Sequence, residues 1–400
     1  MDGESVYFAI VTSLVPAQPP LRRRLPPPDR STFLFGPRGT GKSTYARQVF
    51  PDALVLDLRA GLLARTLTAV PERLHETLDE SRADQWVVID EISRVPALLD
   101  VVHQRLDREP ARRFLLTGSS ARALHRAGVN LPGGRAGRRL MPPFLACELG
   151  EAFTMARAQR LGLLPVVWTA DDPAQALADY ATVAVLDEVR AEARVRQLDG
   201  FVRALEQLAL SHGSVLSPTA IAQMADVKKS TVVDWLELLE SMFLVARLPV
   251  FTARPSRRAL AAQPKFYFAD TGIAMALRPS DAARAAPDAV GAAREGLVYQ
   301  HLVAWCGATR DARLSTWRTT GGVEVDFVVE TPDGLVAIEV KSGSTLRPKD
   351  RRGLLAFHDE FPDARLIALT DAPLPGREGP IAVRPIAAFL AGLVPGEGMP

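Results

Sequence analysis

Cysteine is nearly missing from this chain of 400 residues: only Cys147 and Cys306 occur. They stand far apart and without partners at metal-ligand spacing. That excludes a disulfide framework, disfavours a zinc site and makes a reducing cytoplasm the expected compartment. Long apolar runs are missing too. No stretch reaches the roughly 20 residues that a spanning helix needs, so no membrane partner is expected. The opening MDGESVYFAIVTSLVPAQPP has acids where a secretion signal has bases, and a strand is expected there instead. Surplus charge is also lacking. With 48 Lys and Arg against 46 Asp and Glu, no global field draws the chain to nucleic acid, and any basic footprint must be local. No internal repeat is visible.

What is present is the composition of a globular protein with 47% hydrophobic and 24% charged residues, long enough for two or three cored domains. The segment LVPAQPPLRRRLPPPDR is proline-rich, carries Arg22, Arg23 and Arg24, and is expected to be an exposed linker. From Ser31 short apolar strands alternate with helical stretches: TFLFG, ALVLDL, QWVVIDEI and RRFLLTGSS are strands, and SARALHRAG is a helix. That alternation predicts a parallel α/β sheet ending near Gly150. Residues 151–212 read as mostly helical. Ser217–Ala225 and Ser230–Met242 then predict a helix-turn-helix with a following strand, the outline of a winged helix. Residues 278–296, rich in alanine and broken by proline, read as a loop leading into a helix. The chain turns α/β again from Lys265.

GPRGTGKST meets the full G-x-x-x-x-G-K-[ST] pattern, between a strand and a helix. Gly36, Pro37, Arg38, Gly39, Thr40, Gly41, Lys42, Ser43 and Thr44 are the expected phosphate cradle. Glycines let backbone N–H groups turn inward at a helix N-terminus. Lys42 would neutralise the outer phosphates, and the Ser43 hydroxyl would bind Mg2+. WVVIDEI supplies the second half, with Asp90 for the Mg2+ shell and Glu91 to orient or deprotonate the attacking water. Thr117 and Ser119 close the next strand and are candidates for sensing the γ-phosphate or placing the water; turn chemistry explains them equally well. GGRAGRR offers Arg135, Arg138 and Arg139 as donors to the transition state, or as a solvated loop. The helix after the turn begins with Lys228, Lys229, Ser230 and Thr231, which suit a DNA backbone or groove; a lid or oligomer contact is the other reading. Arg254, Arg257, Arg258 and Lys265 add positive charge in the connector.

Near the end, VEVDFVV and VAIEVK flank TPDG, in which Pro332 suits the second position of a type I turn. With Thr331–Gly334 as the loop, Val329 pairs with Val336, Phe327 with Ile338 and Val325 with Val340, leaving one face wholly apolar. On the other face Asp326 opposes Glu339, and Glu324 opposes Lys341. Opposed carboxylates repel. A shared divalent cation would remove the repulsion, and Lys341 could stabilise charge on an attacked phosphate. A solvated polar face is the plain alternative.

These motifs in this order, with PKFYFADTGIAMAL and GLVYQHLV, carry a resemblance. The chain is similar to bacterial and archaeal AAA+-type P-loop ATPases fused to a C-terminal restriction-endonuclease-like domain of the PD-(D/E)XK type, over nearly all of residues 31–384. The resemblance implies an α/β architecture of a P-loop AAA+-type parallel-sheet domain (31–150), a helical lid and winged helix (151–254) and a nuclease-like domain (255–400), after an N-terminal segment and linker (1–30). It implies ATP and Mg2+ as cofactors, with Arg138 as the arginine finger, from the same or a neighbouring copy. It also implies Asp326, Glu339 and Lys341 as a D…E-x-K core, with Asp326 and Glu339 as metal ligands. Family helices carry a Glu at the position of Gln300. Here the nearest acid, Glu295, lies five residues upstream and off that helical face, so one carboxylate fewer is expected. The implied partners are ATP, DNA or another nucleic acid, and further copies of the chain. The function is an ATPase coupled to a nuclease-like domain that engages nucleic acid, or a nucleotide-dependent switch whose nuclease-like domain is a catalytically inactive module for DNA or a protein.

Overall fold

The computed structural model describes residues 21–121, 136–192, 197–252, 263–279 and 289–400. The N-terminal strand expectation, the helix expected after Ser119, Arg135, Arg254, Arg257, Arg258 and most of the 278–288 loop lie outside them. The chain is mixed α/β. The first unit is a five-stranded parallel sheet of β1 (Thr32–Phe35), β2 (Leu54–Asp57), β3 (Trp86–Asp90), β4 (Arg113–Gly118) and β5 (Gly137–Leu140) in the order β2-β3-β4-β1-β5. Strands β1, β3 and β4 are buried on both faces, and so they read as unbroken apolar runs. Insertion of β4 between β1 and β3 brings the phosphate loop, Asp90 and Thr117 to one edge, because all three lie at or just past C-terminal strand ends. β5 falls in the GGRAGRR segment read as a loop; too short and too polar to show a strand pattern, it is a strand because it pairs with β1.

A mainly helical stretch follows, then Pro218–Ala225, a turn with Asp226 in left-handed conformation (φ 55°), and Lys229–Ser241. Ser217 caps the first of these helices by accepting from Ala220 N. Behind the pair, β6 (Ser214–Val215), β7 (Val245–Leu248) and β8 (Lys265–Phe268) form an antiparallel sheet in the order β6-β8-β7. A boundary at 254/255 therefore falls between two paired strands, β7 and β8. Strand β8 has two masters. Phe266 and Phe268 enter the middle core with Phe201, Leu205 and Leu239, while Tyr267 enters the C-terminal core with Tyr299 and Phe327.

The last unit is a mixed six-stranded sheet of β9 (Arg313–Arg318), β10 (Glu324–Thr331), β11 (Gly334–Val340), β12 (Arg365–Thr370), β13 (Gly376–Glu378) and β14 (Ile381–Pro385), ordered β13-β14-β12-β11-β10-β9. Helix Ala289–Ala308 covers one face and Pro348–Glu360 the other. The hairpin register is the expected one from Thr331–Gly334 through Val329–Val336 to Phe327–Ile338, but the expected Val325–Val340, Asp326–Glu339 and Glu324–Lys341 pairs do not form, because a bulge against β9 turns Val325 into the core on the opposite face from Phe327. Among the described residues no helix is long and apolar enough to cross a membrane.

Candidate functional site

The phosphate loop is built around its backbone. Gly41 (φ 84°) precedes helix Lys42–Val49; its left-handed backbone favours glycine, and a Cβ added there would meet no protein atom within 4 Å. Gly39 (φ 80°) is needed for the opposite reason, since a Cβ would meet Val166 at 2.6 Å. The five successive carbonyls from Gly36 to Thr40 are each held. Lys42 Nζ donates to Gly36 O (2.7 Å) and Pro37 O (2.9 Å), and Thr40 Oγ1 also donates to Pro37 O. The other three carbonyls are held from outside the ATPase sheet. Tyr180 Oη donates to Arg38 O (2.8 Å), Val166 N to Gly39 O (3.2 Å) and Arg23 Nη1 to Thr40 O (2.7 Å).

Arg23 corrects the exposed-linker expectation. Its side chain is 4% exposed, pairs with Glu148 through Nε (3.0 Å) and donates from Nη2 to Pro142 O and Pro143 O. Its neighbours Arg22 and Arg24 are exposed, and only the fold tells the three apart.

At the edge of the sheet Asp90 is buried, and its Oδ1 accepts from Thr117 Oγ1 at 2.5 Å. Thr117 Oγ1 in turn accepts from Glu91 N (3.0 Å). Glu91 has left-handed backbone (φ 64°), an uncommon conformation for a side-chain-bearing residue. Its Oε1 accepts from Ser119 N (2.9 Å), Ser119 Oγ (2.7 Å) and Ser93 Oγ (3.0 Å). Burial pushes the Glu91 carboxyl up, but the Lys42 ammonium and the Ser119 and Ser93 hydrogen bonds outweigh it and hold the pKa below normal. Sequence reasoning missed Arg59. Its Nη2 lies 3.0 Å from Asp90 Oδ2 and 2.7 Å from Asp57 Oδ2. The signal was Asp-x-Arg after a strand whose last residue is in register with Asp90. Ser43, at the helix start, and Asp90 are the oxygen donors beside the cradle, hard ligands of the kind Mg2+ takes, and Arg59 would have to release Asp90 Oδ2 for an ion to be held there.

Arg138 lies on β5 opposite Phe33, exposed, with its guanidinium over the rings of Phe35 (5.4 Å) and Phe243 (5.7 Å). With Arg30, Arg139 and Arg310 it lines a cleft of about 550 Å³ between the edge of the ATPase sheet and the end of helix Ala289–Ala308. Lys228, Lys229 and Ser230 are exposed at the start of the second helix of the pair, and Thr231 is half-buried.

The second cluster lies where β10 and β11 part. Their pairing runs from Thr331–Gly334 to Phe327–Ile338, after which side chains replace the ladder. Asp326 Oδ2 accepts from Val340 N (2.9 Å), and Glu339 Oε2 accepts from Asp326 N (3.3 Å). A bulge against β9 between Val325 and Val328 re-aims Asp326. Both carboxylates are 4% exposed. Lys341 Nζ sits 2.5 Å from Glu339 Oε1. Lys265 Nζ, from β8, sits 2.8 Å from Asp326 Oδ1 and 3.0 Å from Glu295 Oε1, which also accepts from Tyr267 Oη (2.5 Å).

The expected shortage of a helix carboxylate is thus corrected. Glu295 supplies one because its face of the helix, and not that of Gln300, meets the cluster. Gln300 Nε2 instead donates to Phe144 O (3.0 Å). Burial raises the Asp326 pKa, but Lys265 and Lys341 outweigh it and hold the group below normal. Burial and the Asp326 charge push Glu295 and Glu339 up. Burial lowers Lys265, yet Asp326 and Glu295 hold its pKa above the ordinary lysine value.

The fit to a metal fails here. The gap between Asp326 and Glu295 holds an ammonium, and among the described residues no group of three His, Cys, Asp or Glu side chains is spaced to hold an ion.

Residues 28–150 match the family described as AAA domain. Residues 155–284 match a domain of unknown function (DUF8612), and residues 290–386 match another (DUF4143). No curated protein matches the chain in sequence. A solved structure, the Signal Transduction ATPase with Numerous Domains protein with a tetratricopeptide repeat sensor from Pyrococcus horikoshii, is similar over 70% of this chain at 11% identity and a TM-score of 0.22. The match covers 48% of that protein, so the chain spans about half its length. The AAA-domain match and the parallel sheet together make the N-terminal unit a P-loop ATPase domain.

Proposed function

We propose that the chain is an ATP-hydrolysing switch whose turnover is coupled to a nuclease-like C-terminal domain that engages nucleic acid. One observation carries the ATPase half: Asp90 and Glu91 stand beside Thr117 and Ser119 on adjacent strand ends, at the same edge of the sheet as the glycine loop and its Lys42. The loop from Gly36 to Thr44 would hold the phosphates through backbone N–H groups. Lys42 would exchange the carbonyls of Gly36 and Pro37 for phosphate oxygens. Ser43 and Asp90 would hold Mg2+, which neutralises phosphate charge. Thr117 fixes the rotamer of Asp90. Glu91, ionised and held by Ser119, would take the water once that hold is released. Arg138, exposed on an edge strand, suits donation to the nucleotide of a neighbouring copy.

Nucleic-acid engagement is supported by the four-arginine cleft and by the exposed Lys228 and Lys229 of a winged-helix-like pair. The proposed units are the ATPase domain to about residue 150, a middle domain that extends through β8, and a nuclease-like domain built around Asp326, Glu339 and Lys341. A second reading, a catalytically inactive nuclease-like module for DNA or a protein, is favoured by Lys265 inside the acid cluster.

Two substitutions test the ATPase. Lys42→Ala should abolish ATP turnover, and Glu91→Gln should keep nucleotide binding while slowing hydrolysis by about a hundredfold or more. Normal turnover in Lys42→Ala would remove the site. Duplex DNA binding, followed by fluorescence anisotropy, should weaken with salt and in an Arg30→Ser/Arg310→Ser variant. Binding indifferent to both would leave the protein-partner form of the second reading.

A further inference from the structure

We propose that Lys265 is the resident cation of the C-terminal acid cluster, standing in the place of a divalent metal ion. It rests on the nuclease-like reading only for the expectation that an ion belongs there.

The ammonium bridges Asp326 Oδ1 (2.8 Å) and Glu295 Oε1 (3.0 Å), and its side chain is 5% exposed. A divalent ion would need those oxygens at roughly 2.0–2.6 Å, in the volume that Nζ fills. Three of the other four oxygens are engaged as well. Asp326 Oδ2 accepts from Val340 N, Glu339 Oε1 from Lys341, and Glu339 Oε2 from Asp326 N. Three carboxylates thus face two ammoniums in a buried pocket, and an ion could enter only by expelling one of them. Desolvated carboxylates need a matched counter-charge, and a covalently tethered one is never diluted away.

Lys265 is not part of the nuclease-like fold itself. It is carried by β8, whose next residue Phe266 is fixed in the middle core and whose Tyr267 also binds Glu295. Seating of the middle domain therefore closes the cluster. That same domain holds the phosphate loop through Val166 and Tyr180.

The test is Mn2+ titration of the full-length protein without nucleotide or nucleic acid at pH 8, with free Mn2+ read by electron paramagnetic resonance. Wild type and Asp326→Asn should bind alike, showing no ion held by Asp326. Lys265→Met should bind Mn2+ about tenfold or more tightly than wild type, and Lys265→Met/Asp326→Asn should lose the gain. Binding in wild type that Asp326→Asn removes would overturn the proposal, and so would a folded Lys265→Met protein with no gain. Should Lys265→Met fail to fold, the comparison of wild type with Asp326→Asn decides alone. ATP turnover and DNA binding are read separately, so failure of the proposed function leaves this result standing, and the reverse.

Discussion

Tyr180 gives its hydroxyl to the carbonyl of Arg38, inside the phosphate loop but from another part of the chain. Removing that one donor leaves a carbonyl unsatisfied and the loop free to rotate a peptide. A hydrogen bond of this kind is worth about 1 kcal/mol. Tyr180→Phe should therefore weaken ATP binding by roughly fivefold while its melting temperature stays close to that of wild type; titration calorimetry against thermal unfolding separates the two. Equal affinity would make the contact incidental. At this scale the sequence was uneven. That Gly36 to Thr44, Asp90 and Glu91 stand at strand ends was legible because short apolar runs lead directly into them. Arg59, Arg23, Glu295 and Lys265 were not, or not in their roles, because each pairs with a residue far along the chain, Asp90, Glu148, Lys265 and Asp326 in turn, and only the fold decides that partner.

Elements show the same division. The β10–β11 hairpin was readable from its turn to Phe327–Ile338, because alternation and a four-residue turn fix one register, and unreadable beyond it, because a bulge leaves no mark in the alternation. Strand β5 was not, since four mostly polar residues carry no period. Helix Ala289–Ala308 was placed correctly, but its working face was misjudged: it is buried on several sides, and periodicity cannot say which side meets which neighbour. Two histidines pin such elements together. His301 Nε2 accepts from Ala146 N (2.9 Å), and His212 Nδ1 accepts from Phe268 N (3.0 Å). Burial holds both neutral, with pKa values pushed down to about 4 and about 3. In the unfolded chain an ordinary histidine takes up a proton near pH 6.5. Folded pKa values are lower, so stability is full above that pH and is lost as pH falls, by about 1.4 kcal/mol per unit for each histidine until the folded value is reached. The loss in urea-unfolding free energy between pH 8 and pH 5 should be smaller in His301→Gln than in wild type by about 2 kcal/mol. Equal losses would mean that His301 charges without penalty.

Across the whole molecule, the order of units was legible from alternating apolar and helical stretches, whereas their contacts were not. Val166 N and Tyr180 Oη fasten the middle unit to the phosphate loop, and Arg23 fastens the preceding segment to it. Occupancy of the loop should be felt at these anchors. Hydrogen–deuterium exchange should slow on ATP addition in residues 163–182 as well as in residues 36–44. Protection confined to the loop would show that the anchors transmit nothing.

Strand β8 bears on how the protein can be taken apart. A fragment cut to begin at residue 289 would keep the six-stranded sheet and its covering helix, yet it would leave Lys265 and Tyr267 behind. Its three acids would then face water with only Lys341 among them. Such a fragment would set its acids against one ammonium where the intact chain sets two, so ion binding measured on it would describe the fragment and not the whole protein.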